Sequence, residues 1–580
     1  MDILLTTLNA KYSHSNLALR YLRAYSCRDF PSLRVQEYNI NQDLQLVYGE
    51  LIREKPHVLG FSCYIWNIRE ITALTSMVKA VLPETTIVLG GPEVSFEYEQ
   101  VLVDSAADFI IAGEGEEPFH QLLQTIYEGK HADPRRQKAI PGLVYRQGEA
   151  IRSNEPQIID LSTIPSPFDD HLDELDDRIV YVETSRGCPF NCSYCLSSRT
   201  GKLRFFPMDR CLRELTLLSQ RNPEQIRFVD RTFNSDAVRA EKLVAFMATL
   251  ETTTRFQLEV AADRLTDSII NALKTAPKGR FHLEVGVQST NAATLEAVQR
   301  CTDFLSMSRV MRRLAEAPAI PCLVDLIAGL PHESMPRFLE SFNYVYQLQP
   351  SKIHLGFLKL LKGSKLRAQA SEFGCRFAKH APYEVLQTDH MSPENLSELH
   401  TLEDLVERLY NSGRFQHVLA VLTQWFGNPA AFFTDAAENW QRQGWHMTAH
   451  SLFSLYDKLF VLYGAMIPGL KDVLHFDFRL NEPKRTAPAW MGEAERQRLS
   501  ASLKDGTLYQ RHQEFAAFSP RELRRRLWLE RFDSPVYPEP TGVLQRKTDE
   551  PQFLLFFFRQ LTGPAEVLPW TQDGGRVLRG

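Results

Sequence analysis

The sequence contains few cysteines and no long apolar run. Nine cysteines are spread over 580 residues, and six of them stand alone, which argues against a disulfide framework and suits reduced thiols. No stretch approaches the roughly 20 apolar residues of a membrane span. Met1-Asp2 leads straight into an apolar run without a basic region before it, so no secretion signal is predicted. We therefore expect a cytoplasmic protein with no membrane partner.

Excess positive charge and phosphate-binding loops are also missing. The 66 Lys and Arg residues against 71 Asp and Glu give a net charge of −5. This argues against nucleic-acid binding by the whole chain, but not against a local basic patch. The first predicted strand is followed by neither a G-x-G-x-x-G nor a Walker loop, so a dinucleotide or nucleoside triphosphate is not favoured. A chain of this length exceeds one hydrophobic core and predicts about three or four domains.

Three cysteines that lie close together are the strongest chemical signal. Cys188, Cys192 and Cys195 fall in the run Gly-Cys-Pro-Phe-Asn-Cys-Ser-Tyr-Cys at 187–195. Soft thiolates select iron–sulfur clusters or zinc. Three of them leave one iron of a four-iron cluster open to another ligand, whereas structural zinc takes four ligands. The next cysteine, Cys211, falls in a predicted helix, and a partial zinc site is the alternative interpretation.

This spacing, with Tyr194 just before the last cysteine, resembles the signature of the radical SAM superfamily. The resemblance implies a [4Fe-4S] cluster on Cys188, Cys192 and Cys195, with S-adenosylmethionine (SAM) on the open iron and Tyr194 among the SAM-binding residues. It also implies an electron donor such as flavodoxin or ferredoxin, because one electron cleaves SAM to a 5′-deoxyadenosyl radical.

Short β-rich runs alternate with amphipathic helical runs in the N-terminal third. The alternation predicts an α/β fold with a doubly wound, Rossmann-like parallel sheet, which binds ligands beyond the C-terminal ends of its strands. The strands are predicted at 3–8, 33–38, 58–63, 86–89 and 108–111, and the helices at 17–25, 44–53, 68–81 and 96–103.

The loops after these strands resemble those of the cobalamin-binding domain that precedes the radical SAM barrel in one large subfamily. Ser62 matches the serine that contacts the dimethylbenzimidazole tail, and Gly90-Gly91 match the glycine pair that makes room for it. Glycines here and at Gly113 let the backbone pass close to a flat ligand, because no Cβ intrudes.

The loop after the first strand departs from the wider cobalamin-binding family. That family places its lower cobalt ligand in a D-x-H-x-x-G motif, whereas this chain reads Tyr-Ser-His-Ser-Asn-Leu at 12–17. His14 is retained, but the Asp and the Gly are missing, and Tyr12 cannot supply the carboxylate that would fix the tautomer of the histidine. His14 is therefore a candidate cobalt ligand, with lining of the corrin or a surface position as alternatives.

A second βα series follows a hairpin that turns at Gln147-Gly148 and a proline-containing linker at 164–170. Six strands are predicted, at 179–184, 226–230, 255–261, 281–287, 322–327 and 352–358. They match the partial (β/α)6 barrel of radical SAM enzymes, and the cysteine loop follows the first strand, where barrel chemistry gathers. By the same resemblance, the SAM contacts at the strand ends are Asp230, Glu259, Gln288 and Ser289, and residues 325–331 pack against adenine.

The alternation of predicted strands and helices ends before the last third of the chain. It predicts mostly helices, at 396–411, 415–425, 432–443 and 447–463, with aromatic-rich strands at 474–480 and 553–558. The segment 521–531 carries five arginines and predicts a solvated amphipathic helix, with a nucleic-acid contact as the minority interpretation. In related subfamilies an appended domain caps the barrel and selects the substrate.

Four domains are therefore predicted: a cobalamin-binding domain at 1–135, a hairpin and linker at 136–178, a radical SAM barrel at 179–365 and a C-terminal domain at 366–580. The resemblance implies an enzyme that uses cobalamin and SAM to methylate an unactivated carbon. Radical chemistry without methyl transfer and a non-enzymatic cobalamin or redox sensor are the alternatives. A methylthiotransferase is not favoured, because only Cys27 and Cys63 precede the motif. The substrate stays open, with RNA among the candidates.

Overall fold

The computed structural model describes residues 1–199, 201–316, 320–483, 487–492, 494–533, 552–560 and 563–570. The chain divides into two compact units. The first contains residues 1–341, 347–350 and 355–396, and the second contains 342–346, 351–354 and 397–580. No helix among the described residues is both long enough and apolar enough to span a membrane.

The first unit opens with a seven-stranded sheet. Its strands are β1 Ile3–Asn9, β2 Leu33–Asn39, β3 Val58–Ser62, β4 Thr86–Gly90, β5 Phe109–Ile111, β6 Leu143–Gln147 and β7 Ala150–Ser153. They lie in the order β2-β1-β3-β4-β5-β6-β7. The first five are parallel, while the hairpin of β6 and β7 adds antiparallel to β5. The predicted doubly wound sheet is confirmed, and the hairpin extends it.

Helices cover both faces of this sheet. They are α1 Leu17–Ser26, α2 Leu44–Glu54, α3 Ile68–Val81, α4 Tyr98–Asp104, α5 Glu116–Tyr127 and α6 Pro134–Ala139. Side chains of a strand alternate between faces, so Leu4 and Leu59 enter one apolar cluster while Ile3 and Val58 enter the other. Gly60 permits the close packing, since a Cβ there would lie 2.6 Å from Leu5 Cδ2.

A six-stranded sheet follows and forms the predicted partial barrel. Its strands are β8 Val180–Val182, β11 Gln225–Phe228, β12 Arg255–Val260, β13 Phe281–Gln288, β14 Cys322–Ala328 and β15 Lys352–Phe357, and they lie side by side in this order. The short strands β9 Ser185–Arg186 and β10 Arg204–Phe205 pair separately. The helices are α7 Met208–Gln220, α8 Ala237–Thr249, α9 Asp267–Thr275, α10 Ala292–Ala297, α11 Phe304–Ala315 and α12 Met335–Gln347.

The barrel sheet has one apolar and one polar face. Along β12 and β13, buried apolar residues alternate with half-buried polar ones. Glu259 pairs in register with Glu284, and Gln257 Nε2 donates to Glu284 Oε2 at 2.8 Å. The apolar face packs under the helices, so the polar face lines the barrel interior, where a ligand needs hydrogen-bonding groups.

A short stretch after the barrel completes the first unit. It contains α13 Lys365–Ala368 and the antiparallel strands β16 Arg376–Phe377 and β17 Val385–Gln387. We refer to residues 359–387 as the post-barrel segment.

The second unit is mostly helical with a small sheet, as predicted. Its helices are α14 Pro393–Leu405, which continues as a π-helical turn over Val406–Tyr410, α15 Gln416–Trp425, α16 Pro429–Arg442, α17 Leu452–Tyr463, α18 Leu470–Asn481, α19 Arg496–Lys504, α20 Thr507–Arg511 and α21 Pro520–Arg526. The antiparallel strands β18 Leu527–Phe532, β19 Gln552–Phe557 and β20 Glu566–Pro569 form the sheet. The first four residues of α14 belong to the first unit.

The predicted strand at 474–480 is wrong, because these residues lie in α18. Leu474, Phe476 and Phe478 suggest a period of two, but the charged residues between them are equally buried. Asp477 lies 2.6 Å from His417 Nδ1, and Arg479 lies 2.6 Å from Glu530. Other parts of the protein cover every face of this helix. The alternation of apolar and charged residues therefore does not mark a buried side and a solvent side, as it would in a strand.

The arginine-rich segment is helical only in its first part. A capping box of Ser519 and Glu522 begins α21, and the helix ends at Arg526. Leu527 and Leu529 then occupy alternate positions of β18 and are buried in an apolar cluster. Trp528, the one aromatic candidate for base stacking in this segment, contacts Arg479 at 3.9 Å and donates its indole N–H to the carbonyl of Pro483.

Candidate functional site

The cysteine loop leaves the C-terminal end of the first barrel strand. β9 and β10 pair at its base, so residues 187–203 form a closed loop. Gly187 adopts φ +92°, and a Cβ there would lie 2.9 Å from the carbonyl oxygen of Lys202. Only glycine tolerates this turn without strain. The backbone therefore fixes the loop that carries all three cysteines.

Two of the three thiols contact polar groups of the barrel. Cys192 is buried, with Arg300 Nη1 3.9 Å from its Sγ, and Cys188 Sγ lies 3.6 Å from Thr232 Oγ1. Cys188 and Cys195 are partly exposed. No three His, Cys, Asp or Glu side chains in the described part of the chain are arranged around a single metal ion. In a four-iron cluster each thiolate binds a different iron, and cluster binding by this loop stays a prediction.

Tyr194 and Arg300 form the wall beside Cys192. Arg300 Nη1 lies 3.4 Å from Tyr194 Oη, and the guanidinium also donates to the carbonyl of Gly286 on β13. Burial raises the pKa of Tyr194, so the phenol stays protonated. Burial raises the pKa of Cys192, and the neighbouring Arg300 cation opposes that shift, so Arg300 favours the thiolate form that binds iron.

Glu259 and Gln288 lie on the polar side of the barrel with unused hydrogen-bonding capacity. Burial raises the pKa of Glu259 to about 7, with Arg231 opposing the shift and Glu284 adding to it. Gln288 adopts φ +70°, and its Oε1 is buried without a hydrogen-bond partner. A buried acceptor without a donor is costly, so a ligand N–H or O–H at this point would stabilise it. The role of Glu259 and Gln288 in SAM binding, expected from the sequence, stays a prediction.

Asp230 and Ser289 are satisfied inside the protein. Both oxygens of the buried Asp230 accept hydrogen bonds, from Thr184 N at 2.8 Å, Thr184 Oγ1 at 2.7 Å and Ser185 Oγ at 2.6 Å. The buried Ser289 donates to Glu333. In this structure Asp230 holds the strand that leads into the cysteine loop, and Ser289 holds the turn after β13. Their role in SAM binding stays a prediction.

His14 meets the barrel rather than the solvent. Its Nδ1 lies 2.6 Å from Tyr181 Oη on β8, and its backbone forms a parallel bridge with Ile179. Burial and nearby cations lower the pKa of His14, so the ring is neutral near pH 7. Tyr12 is 70% exposed, so the partner that fixes the ring is Tyr181. Cobalt ligation by His14 stays a prediction.

The other residues expected to bind cobalamin lie at the C-terminal edge of the first sheet. Ser62 is buried at the end of β3, and Tyr64, two residues further on, stacks on Trp66 at 4.4 Å. A Cβ added to Gly90 would meet only the carbonyl of Ile111, at 3.9 Å, so this position has open space.

Gly91 and Gly113 are required by the local backbone conformation and do not line that space. A Cβ on Gly91 would lie 2.6 Å from the carbonyl of Cys63, and one on Gly113 would lie 3.1 Å from Pro156. Both adopt positive φ, at +107° and +89°. Gly91 and Gly113 shape the loops around the open position at Gly90, and the role of all three glycines in cobalamin binding stays a prediction.

The loop after β5 is joined to the cysteine loop by ion pairs. Arg186 Nη2 lies 2.6 Å from Glu116 Oε1 and 2.8 Å from Glu183 Oε1. Arg204, on the partner strand β10, pairs with Glu114. Because β9 and β10 close the cysteine loop, these pairs fix that loop against the first sheet.

Breaking this connection has a measurable consequence. Arg186→Gln leaves Glu116 and Glu183 buried without their cation, at a cost of about 2 kcal/mol. We expect amide hydrogens over residues 183–206 to exchange roughly 10–30-fold faster, as followed by mass spectrometry. Arg221→Gln breaks the solvent-exposed pair with Asp176 and serves as the control that leaves exchange there unchanged. Equal exchange in the two variants would contradict this role for Arg186.

Several site residues carry no recognisable sequence signal. Arg300 follows a short helix and reads as a surface residue, while Arg186, Glu114 and Glu116 become partners only when the two sheets meet. The sequence does give one indication for Glu114 and Glu116. They flank a glycine in a loop after a buried strand, where α/β proteins place functional groups.

Comparison with known families agrees with this geometry. Residues 3–123 match the B12 binding domain, and residues 182–345 match the radical SAM superfamily. The chain therefore combines a B12-binding domain with a radical SAM barrel, which confirms the resemblance read from the sequence. Its third region, residues 371–556, matches a family described as a protein of unknown function, DUF4080.

Individual relatives cover only part of the chain. The cobalamin-dependent radical SAM methyltransferase TokK of Streptomyces tokunonensis is 28% identical over 312 residues, which span 49% of this chain and 44% of TokK. The anaerobic magnesium-protoporphyrin IX monomethyl ester cyclase of Cereibacter sphaeroides is 24% identical over 328 residues, 52% of this chain and 51% of the cyclase. The chain thus spans about half the length of these curated relatives.

A solved structure shares its fold with about two thirds of this chain. The radical SAM methyltransferase TsrM from Kitasatospora setae, solved with cobalamin and a [4Fe-4S] cluster bound, superposes with a TM-score of 0.53 at 15% identity. The match covers 66% of this chain and 79% of TsrM. At this identity the likeness establishes the fold.

Proposed function

We propose that the chain is a cobalamin-dependent radical SAM methyltransferase that acts on an unactivated carbon. The observation that carries the proposal is the meeting, within one compact unit, of the cysteine loop and the C-terminal edge of the B12-binding sheet through Arg186, Arg204, Glu114 and Glu116. When bound, the cluster and SAM supply a 5′-deoxyadenosyl radical, and cobalamin supplies the methyl group. Radical transfer needs its partners held close together, which this connection provides.

The residues of the barrel bind the cluster and SAM. Cys188, Cys192 and Cys195 hold the cluster, with Arg300 beside Cys192. Glu259 and Gln288 accept hydrogen bonds from the hydroxyl and amino groups of SAM. Gln288 Oε1 is buried without a partner, and Glu259 is a half-buried carboxyl whose pKa is raised by burial.

The cobalamin-binding residues lie opposite, at the edge of the first sheet. Ser62, Gly90, Gly91 and Gly113 shape the space for cobalamin, and His14 lies against the barrel at the same edge. An oxygen-sensitive cluster needs a reducing compartment, so we place the protein in the cytoplasm with flavodoxin or ferredoxin as reductant.

RNA is one candidate class of substrate, and mass spectrometry of modified nucleosides can test it. Arg521, Arg524 and Arg525 are exposed on α21 and offer phosphate contacts to an RNA substrate. Trp528 is already packed against Arg479, which removes the aromatic platform that base recognition would use. Comparison of modified nucleosides in tRNA from wild-type and deletion strains tests RNA directly.

The reaction class is tested on anaerobically reconstituted protein given SAM, cobalamin and a reductant. We expect 5′-deoxyadenosine and S-adenosylhomocysteine together, because methyl transfer consumes a second SAM. The relationship to the cyclase favours one alternative, radical chemistry without methyl transfer, and 5′-deoxyadenosine without S-adenosylhomocysteine would support it. Release of neither product would contradict an enzymatic role and leave a cobalamin or redox sensor.

A further inference from the structure

A buried polar cluster links the post-barrel segment to the loop after β4. The carboxylate of Glu93 is 5% exposed and accepts a hydrogen bond from the phenol of Tyr383. Lys362 Nζ lies 3.2 Å from Glu93 Oε1. Tyr383 is itself only 4% exposed. Residues 290 positions apart in sequence therefore share one desolvated ion pair and hydrogen bond.

The post-barrel segment holds its side of this cluster firmly. The backbone N–H of Leu360 donates to the carbonyl of Tyr383 at 3.0 Å, and the bridge between Lys359 and Glu384 continues the pairing. Arg367 lies over the Tyr383 ring at 4.8 Å and donates to the carbonyl of Leu360 at 2.7 Å. Tyr383 is thus a fixed hydrogen-bond donor rather than a mobile one.

Glu93 is in turn part of the loop that leaves open space at Gly90. Its backbone N–H lies 3.4 Å from the carbonyl of Cys63, against which Gly91 also packs. Ser95 Oγ donates to the carbonyl of Gly91 at 2.8 Å and accepts from the N–H of Gly113 at 3.1 Å. Glu93 therefore belongs to the same hydrogen-bonded turn as Gly91, and Ser95 joins that turn to the loop at Gly113.

We propose that Tyr383 and Lys362 are positioning residues for the cobalamin tail, which act by anchoring Glu93 and so holding the Gly90-Gly91 turn in the shape that admits the tail. This inference rests on the proposed function and extends the cobalamin site to residues beyond the barrel. Glu93 needs both partners, because removing one partner of a buried carboxylate leaves an uncompensated acceptor or charge and destabilises the position it occupies.

Binding of two corrinoids separates this role from general damage. Cobalamin carries the lower dimethylbenzimidazole nucleotide, whereas cobinamide lacks it. For full-length Tyr383→Phe, we expect the Kd for hydroxocobalamin, measured by absorbance titration, to rise about tenfold, while the Kd for cobinamide stays within about twofold. Glu93→Gln should reproduce the effect, and the double variant should add little to either single one, because both act on one contact.

Glu99→Gln is the matched control, since Glu99 is an exposed carboxylate on α4, just beyond the same loop. It should bind both corrinoids as the wild type does. Equal weakening of both corrinoids in Tyr383→Phe, or unchanged binding of both, would overturn the inference while the wild type still binds cobalamin. Failure of the wild type to bind either corrinoid would overturn the proposed function itself.

Discussion

Replacement of any one of Cys188, Cys192 and Cys195 by alanine is expected to abolish SAM cleavage. Each thiolate binds a different iron, so the loss of one leaves two protein ligands for a cluster that needs three. The rate of 5′-deoxyadenosine release from anaerobically reconstituted protein should fall by a factor on the order of 1,000 or more. Bound iron, measured in the same samples, should fall with it.

Cys301→Ala is the control for this experiment. Cys301 is also a free cysteine, but it is exposed and lies outside the loop closed by β9 and β10. Its replacement should leave iron content and SAM cleavage at the wild-type level. A triple variant of the loop cysteines that keeps its iron and its 5′-deoxyadenosine would refute the cluster assignment.

Most of the fold was predictable because its strands are buried on both faces. The runs at β1, β3 and β4 are apolar enough to stand out, and each is followed by a helix with one apolar side. The β12 and β13 strands also stood out, since their polar and apolar residues alternate. The signal fails at α18, where Asp477 and Arg479 are buried in pairs with distant residues.

The candidate site was predictable only where local sequence fixes the chemistry. The three cysteines in one loop are recognisable from sequence alone, because the type of ligand and the spacing between ligands are enough to predict this kind of site. Glu259 and Gln288 are predicted from their place at strand ends. In the structure Gln288 Oε1 is buried without a partner, and burial raises the pKa of Glu259. Asp230 and Ser289 occupy the same kind of place, but local partners already satisfy them.

Residues that join the two sheets were beyond the reach of sequence reasoning. Glu93 and Tyr383 are unremarkable in their own segments, and their contact exists only because the chain returns to the first domain after the barrel. Tyr181 likewise became a partner of His14 through a pairing between the loop after β1 and the start of β8. Long-range polar contacts of this kind leave no periodicity to read.

SAM affinity is expected to depend on the ionisation of Glu259. Burial raises the pKa of this carboxyl to about 7 in the free protein. The carboxylate accepts hydrogen bonds from ligand hydroxyls more strongly than the protonated acid does, so bound SAM favours the ionised form. Affinity should therefore be highest above pH 7 and fall as the pH drops through that value. At pH 6 we expect a Kd about tenfold higher than at pH 8, measured by equilibrium dialysis on cluster-loaded protein.

Substitution of Glu259 separates this effect from a general response to pH. Glu259→Gln keeps a neutral acceptor, so SAM should bind about tenfold more weakly at pH 8 and with no dependence on pH between 6 and 8. Glu259→Ala removes the acceptor altogether, and its Kd should rise about 100-fold. Glu241→Gln, an exposed carboxylate on α8, should retain the wild-type profile. Wild-type affinity that stays flat from pH 6 to 8, together with unimpaired binding by Glu259→Ala, would show that SAM does not contact this carboxylate.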